Sequence, residues 1–221
     1  DYILPSSCLV CGSGENVVNG LCQTCRGQLR SLGDQVCEIC GVPLPMGGVC
    51  LGCQQDPPPY DRMLSAAGYE GIIRDIILAF KYHRTTIFKG VLGRMLSDLF
   101  FRINQPIDIL TFVPMNYKRQ VSRGYNQSAL LARELSRHTG VQVGYDLIKK
   151  TRVTPPQEAL GALQRKENLK GAFEVKKMKG QSIMIVDDVI TTGATAREIS
   201  GAFRKAGARK VFFISVSRTL S

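Results

Sequence analysis

The chain is 221 residues long, 44% hydrophobic, and carries a formal net charge of +11 from 29 Lys and Arg against 18 Asp and Glu. Such a length holds one full-sized domain and a small accessory one. Its longest apolar stretches, around Ile72 to Phe80 and Val211 to Val216, are too short or too broken to span a bilayer, which argues against membrane insertion and makes a soluble, cytoplasmic protein the expectation.

In chain order the first signal is cysteine. All eight cysteines lie before residue 54 as four C-x-x-C doublets: Cys8/Cys11, Cys22/Cys25, Cys37/Cys40 and Cys50/Cys53. In a reducing compartment this spacing suits metal rather than a disulfide framework, because each doublet places two thiolates on one tetrahedral ion at ~2.3 Å. Two structural Zn²⁺ sites are expected, with an iron–sulfur cluster as the chemical alternative. Consecutive ribbons would put Cys8, Cys11, Cys22 and Cys25 on one ion and the other four on the second; an interleaved cross-brace is the competing arrangement. Residues 8–53 hold few large apolar side chains, so metal binding must supply their folding energy. This defines a double zinc-ribbon-like domain over 1–54, a linker over 55–62 stiffened by Pro57, Pro58 and Pro59, and a second domain over 63–221. Residues 1–60 contain two basic and five acidic side chains, whereas 61–221 contain 27 and 13. A polyanion should therefore meet the second domain.

After the linker, residues 64–69 read as a short strand. Ile72, Ile73, Ile76, Ile77 and Phe80 share one face of a helix over 71–82, and Val91, Leu92, Met95, Leu96 and Leu99 mark a second helix. Asp108 to Pro114 reads as a strand running into a basic loop, Asn116 to Tyr125, followed by a helix over 126–138 that Asn126 is suited to cap. Strand-like residues near 141–148 lead into a polar stretch over 149–171, too long for an ordinary connection and therefore a candidate lid. A strand at 172–175, a largely apolar strand over 182–187 that lacks alternation, a helix over 196–206 and a last strand at 210–217 complete the chain. Strands alternating with helices imply an α/β domain with a mainly parallel sheet. Lys81 closes its helix, where the helix dipole already favours a cation.

The strand at 182–187 ends in Asp187 and Asp188 and passes through Val189, Ile190, Thr191, Thr192, Gly193, Ala194 and Thr195 into a helix. The carboxyl end of a parallel strand is where ligands bind in open α/β sheets. Free backbone N–H groups, the start of a helix and the threonine hydroxyls would together cradle an anion. The two carboxylates can then accept from sugar hydroxyls or hold a hydrated Mg²⁺.

This segment resembles the 5-phosphoribosyl-1-pyrophosphate (PRPP) signature of type I phosphoribosyltransferases, two acidic residues followed by Thr-Thr-Gly-x-Thr. The resemblance implies that Asp187 and Asp188 hold the ribose hydroxyls and that Thr191 to Thr195 hold the 5′-phosphate. Pro114, Met115, Asn116 and Arg123 would line the pyrophosphate loop, with Mg²⁺ accompanying PRPP and Asp187, Asp188 and Arg123 as catalytic candidates. Arg123-Gly-Tyr-Asn-Gln closely resembles the Arg-Gly-Phe-Asn-Gln segment of the ComF/GntX family, and Arg152, Gln157, Arg165 and Asn168 resemble elements of a hood loop. The order of zinc lobe, linker and phosphoribosyltransferase-like domain over 63–221, a mainly parallel sheet with helices on both faces, is similar to that family along the whole chain. The resemblance implies a DNA-uptake factor in natural transformation that binds single-stranded DNA and PRPP, with a competence helicase and DNA-processing proteins as partners. A metabolic phosphoribosyltransferase and a regulatory RNA-binding protein with a non-catalytic PRPP site are the alternatives. Tyr117 and Tyr125, set among basic residues, are candidates for base stacking, with core packing the plainer role for Tyr125.

Overall fold

The structure, a computed structural model, describes residues 7–82, 86–116, 121, 123–152 and 169–220. Four parallel strands form the main sheet, in the order β1 (Arg62–Gly68), β6 (Lys210–Arg218), β5 (Ser182–Ile190) and β2 (Ile109–Phe112). Parallel neighbours need crossovers, and the helices supply them. Helices α3 (Gly71–Tyr82) and α4 (Lys89–Ile103) follow β1, α5 (Gln127–Thr139) follows β2, and α6 (Ala194–Lys205) joins β5 to β6. Two short helices, α1 (Gln23–Gly27) and α2 (Leu51–Gln55), lie in the cysteine-rich region, and β3 (Ile148–Lys150) pairs antiparallel with β4 (Phe173–Val175).

The central strands bury alternate residues in two apolar layers, as the period of two in an extended chain requires. Met184 and Val186 of β5 and Phe212 and Ile214 of β6 face Ile76 and Phe80 of α3, Leu92 and Leu96 of α4 and Leu131 of α5. Ile183, Ile185, Val211 and Phe213 face Ile199 and Phe203 of α6 together with Phe173 of β4. This is the expected α/β sheet with helices on both faces, preceded by a cysteine-rich unit.

That unit packs directly on the sheet. Leu21, Cys22, Cys25 and Val36 belong to the same apolar cluster as α3 and α4. Leu32 N donates to Ala66 O at 2.9 Å and Met63 N to Ile39 O at 2.7 Å, so the cysteine-rich segment satisfies the edge of β1 that no strand pairs. An open edge would otherwise be a template for association.

Several boundaries differ from the sequence expectation. Strand β5 runs three residues beyond Asp187, because Asp187, Val189 and Ile190 stay in register with Ser215, Ser217 and Arg218 of β6. The acidic pair therefore lies inside the ladder. Residues 141–147 make one parallel bridge, Val143 to Leu110, and strand structure there begins only at Ile148.

Candidate functional site

Asp187 and Asp188 are held by side chains from the two helices that cover this end of β5. Ser128 Oγ of α5 donates to Asp187 Oδ1 at 2.9 Å, and the Asp188 backbone N donates to the same oxygen at 2.9 Å. Lys81 Nζ, at the end of α3, sits 3.1 Å from Asp188 Oδ1, with the two side chains only 18% and 12% exposed. Burial, and then the neighbouring Asp188 carboxylate, push Asp187 up to about 7. Burial alone would lower Lys81, but the ion pair with Asp188 outweighs it and lifts the ammonium above the ordinary lysine value. A carboxyl raised in the folded state stabilises fully below its unfolded value near 3.8 and loses that contribution as pH rises through about 7. Thermal denaturation between pH 4 and pH 8 should show this loss, and Asp187→Asn should flatten it; an unchanged profile in the variant would assign the dependence to another group.

The basic segment after β2 builds this arrangement from behind. Tyr125 Oη donates to the Phe80 carbonyl, and its ring packs on Phe80 at a centroid distance of 6.1 Å. Gln127 Nε2 donates to Lys81 O at 3.5 Å, and the Arg123 guanidinium lies 4.7 Å from the centre of the Tyr82 ring while donating to Gln127 Oε1 at 3.4 Å. Three side chains of the motif thus engage three successive residues of α3 and hold Lys81 toward Asp188. Asn126 caps α5 by accepting from Ala129 N at 3.2 Å and also donates to Val113 O at 3.1 Å. Asn126 thus has the cap role expected of it. Tyr125 is half-buried, and both its ring and its hydroxyl engage Phe80. Tyr117 lies outside the described residues.

Pro114, Met115 and Asn116 leave β2 beside the acidic pair: Phe112 is in register with Val186, and Val113 N donates to Val186 O at 3.0 Å. Beyond β5, Thr191 and Thr192 are exposed, and Gly193 adopts φ 74°, a left-handed conformation that glycine enters without strain, to start α6. As the residue preceding the helix it offers no capping side chain, and Thr192 Oγ1 accepts from Ala194 N at 3.4 Å. Thr219 secures the turn from β6, its N donating to Ile190 O at 3.0 Å and its Oγ1 to Thr191 O at 3.2 Å. Thr195 and Ala196 occupy the first turn of α6, where the helix dipole favours an anion. Of the hood candidates, Arg152 is exposed just past β3, while Gln157, Arg165 and Asn168 lie outside the described residues.

The structure thus brings Asp187, Asp188, the Thr191–Thr195 turn and Pro114–Asn116 to one sheet edge. It adds Lys81 and Ser128, which the sequence did not single out for this role. Arg123 contacts Tyr82 and Gln127.

The cysteines form two groups, Cys8, Cys11, Cys22 and Cys25 in one and Cys37, Cys40, Cys50 and Cys53 in the other, with the sulfurs of each group within 4.8 Å of one another. Cys11 and Cys22 sulfurs are 3.6 Å apart and those of Cys40 and Cys50 3.7 Å, near the ~3.8 Å edge of a tetrahedral Zn–S₄ centre. The grouping is the consecutive one. Arg218 supports the fit to a metal. Its guanidinium is buried, donates to Cys40 O at 2.6 Å, leaves Nε without a partner and pairs with no carboxylate among the described residues. A tetrathiolate zinc centre carries about two net negative charges and would supply the missing counter-ion.

A segment with two four-cysteine centres, followed by a parallel α/β domain with paired acids before a Thr-Thr-Gly turn, defines a protein of two parts. The chain belongs to the ComF/GntX family of competence and DNA-utilization proteins. It is 34% identical over 208 residues to DNA utilization protein YhgH of Escherichia coli K12, covering 91% of each chain. It is 32% identical over 216 residues to Competence protein F of Haemophilus influenzae, covering 92% of this chain and 93% of that one. Residues 1–54 match the double zinc ribbon domain family. Among solved structures, glutamine PRPP amidotransferase from Bacillus subtilis is similar over 58% of this chain and 26% of that one, at 24% identity and a TM-score of 0.40. No helix among the described residues is long and apolar enough to cross a membrane.

Proposed function

We propose that this protein is a DNA-uptake or DNA-utilization factor that binds PRPP at the edge of β5 and single-stranded DNA on the basic surface of the same domain. The observation that carries the reading is the juxtaposition of the half-buried Asp187 and the buried Asp188, an ammonium 3.1 Å from Asp188 and the Thr191–Gly193 turn. One end of this arrangement suits the hydroxyls of a ribose, and the other suits its phosphate. The oxygen-only donors Asp187 and Asp188 fit Mg²⁺, which would neutralise charge on the pyrophosphate of a bound ligand. Zinc is the metal proposed for both four-cysteine centres, in a structural role. Calorimetric titration of PRPP with Mg²⁺ into the full chain tests the site; absence of saturable heat would remove it.

The DNA half of the reading rests on the relatives' names and on the 27 basic side chains after residue 60. Because each phosphate contact releases counter-ions with a slope of about −0.7, a footprint of roughly five contacts should lose about 100-fold in affinity between ~50 and ~200 mM salt. Fluorescence anisotropy with an oligo-dT strand measures this, and salt-independent binding or none would count against the DNA surface. The raised Asp187 favours a second reading. A carboxyl titrating near neutrality beside a sugar phosphate is placed for general base work. PRPP consumption with candidate bases or oligonucleotides present would assign turnover.

A further inference from the structure

Arg218 is a buried cation with no acidic partner among the described residues, and its place in the fold gives that fact a consequence. It is the last residue of β6, in register with Ile190, and is followed by Thr219, whose two bonds to Ile190 O and Thr191 O secure the start of the Thr-Thr-Gly turn. Its guanidinium reaches the other way, to Cys40 O of the second four-cysteine centre. A second connection leaves that centre through Cys53, which lies in α2. Asp56 closes α2, and Arg197 in the first turn of α6 donates to Asp56 O at 2.6 Å and pairs with Asp56 Oδ2 at 3.2 Å. The turn is therefore flanked by two struts, one on its entry from β5 and one on its exit into α6, and both start at the same four cysteines.

The packing between them is close. A Cβ at Gly41, next to Cys40, would run into the Met63 carbonyl, and the Met63 side chain ends 3.7 Å from where a Cβ at Gly193 would stand. The first four-cysteine centre is differently connected. Among the described residues, the segment that follows it bonds to Ala66 through Leu32 N and to Arg102 through Gly33 O and Asp34, away from the turn.

We infer that Arg218 and Arg197 are positioning residues that couple the second four-cysteine centre, and not the first, to the anion-binding turn over Thr191–Thr195. Metal at the second centre keeps Cys40 and α2 in place and supplies the charge that holds Arg218. Losing it releases both flanks of the turn. The coupling is a property of the fold, and only its purpose rests on the proposed PRPP site.

Hydrogen exchange on the full chain tests this, read on peptides covering 189–199, with zinc content measured in parallel. Cys50→Ser is expected to lose one zinc and to exchange at least roughly 10-fold faster in that segment, while Cys11→Ser loses one zinc and leaves the segment as in wild type. Arg218→Met should keep two zinc ions yet show the same faster exchange, and Arg218→Lys, which retains the charge, should lie closer to wild type. Equal effects of the two cysteine variants, or none from Cys50→Ser, would overturn the coupling. If Cys50→Ser unfolds throughout, Arg218→Met decides, and wild-type exchange in that variant would overturn it. In calorimetry, PRPP should bind Cys50→Ser at least roughly 10-fold more weakly than Cys11→Ser. If the wild type itself binds no PRPP, the ligand assignment fails while the exchange comparison still judges the coupling.

Discussion

Replacing Asp187 and Asp188 together by Asn is expected to lower PRPP affinity by at least ~100-fold, since two charge-assisted hydrogen bonds of roughly 1.5–3 kcal/mol each are weakened or lost. The shape of the pocket is nearly retained, so the loss reports on charge. Zinc content should not change, because all eight sulfurs lie in the two separate cysteine groups. The single variants should separate in stability. Asp187 is a desolvated carboxyl raised by burial and by Asp188, so Asp187→Asn should be neutral or mildly stabilising near pH 7. Asp188→Asn removes the partner of Lys81 and leaves a largely buried ammonium without its counter-ion. Calorimetry with PRPP and Mg²⁺ on wild type and double variant is the measurement. Equal binding by both proteins would remove these carboxylates from the ligand site.

The largest stability effect of a single side chain at this site is expected for Lys81→Met. The methionine fills much of the stem's space but leaves Asp188 without this ion pair and removes a cation that holds Asp187 down. Breaking a fully enclosed pair costs about 3–5 kcal/mol; with both ends slightly exposed, roughly 2–3 kcal/mol is expected, a fall in Tm of about 5–10 °C for a chain of this size. The deficit should shrink at pH 5, where Asp187 is protonated in the folded state. Lys205→Met, at an exposed position closing α6, changes the net charge equally and should stay within about 0.5 kcal/mol. Similar Tm values for the two variants at pH 7 would show that the Lys81–Asp188 pair contributes no net stability.

Much of the architecture is readable from local pattern. The alternation of apolar strands and amphipathic helices yields a parallel α/β sheet, because a strand without a polar face must be covered on both sides. The paired acids and the Thr-Thr-Gly turn mark the carboxyl end of β5, and the structure keeps them together with Pro114–Asn116 because β2 pairs beside β5. The four C-x-x-C doublets announce eight thiolates, although spacing alone leaves consecutive and interleaved pairing open. Folding decides for the consecutive grouping, since it depends on which hairpin each doublet closes.

What the chain determined by itself was every feature with a short range: strand and helix periods, the Asn126 cap, the left-handed Gly193 and the thiolate pairs. Each follows from residues within one or two turns of one another. The tertiary structure alone decided the polar pairings between distant elements. Ser128 meets Asp187 from 59 positions away, Lys81 reaches Asp188 across the sheet edge, and Arg218 meets Cys40 from 178 positions away. Lys81 in sequence is an ordinary cation at a helix C-terminus, and Arg218 an ordinary charge near a strand end. They acquire a role only once the strand order places β6 next to β5 and lays the cysteine-rich segment along β1. That order is set by burial summed over the whole chain, which no local window contains.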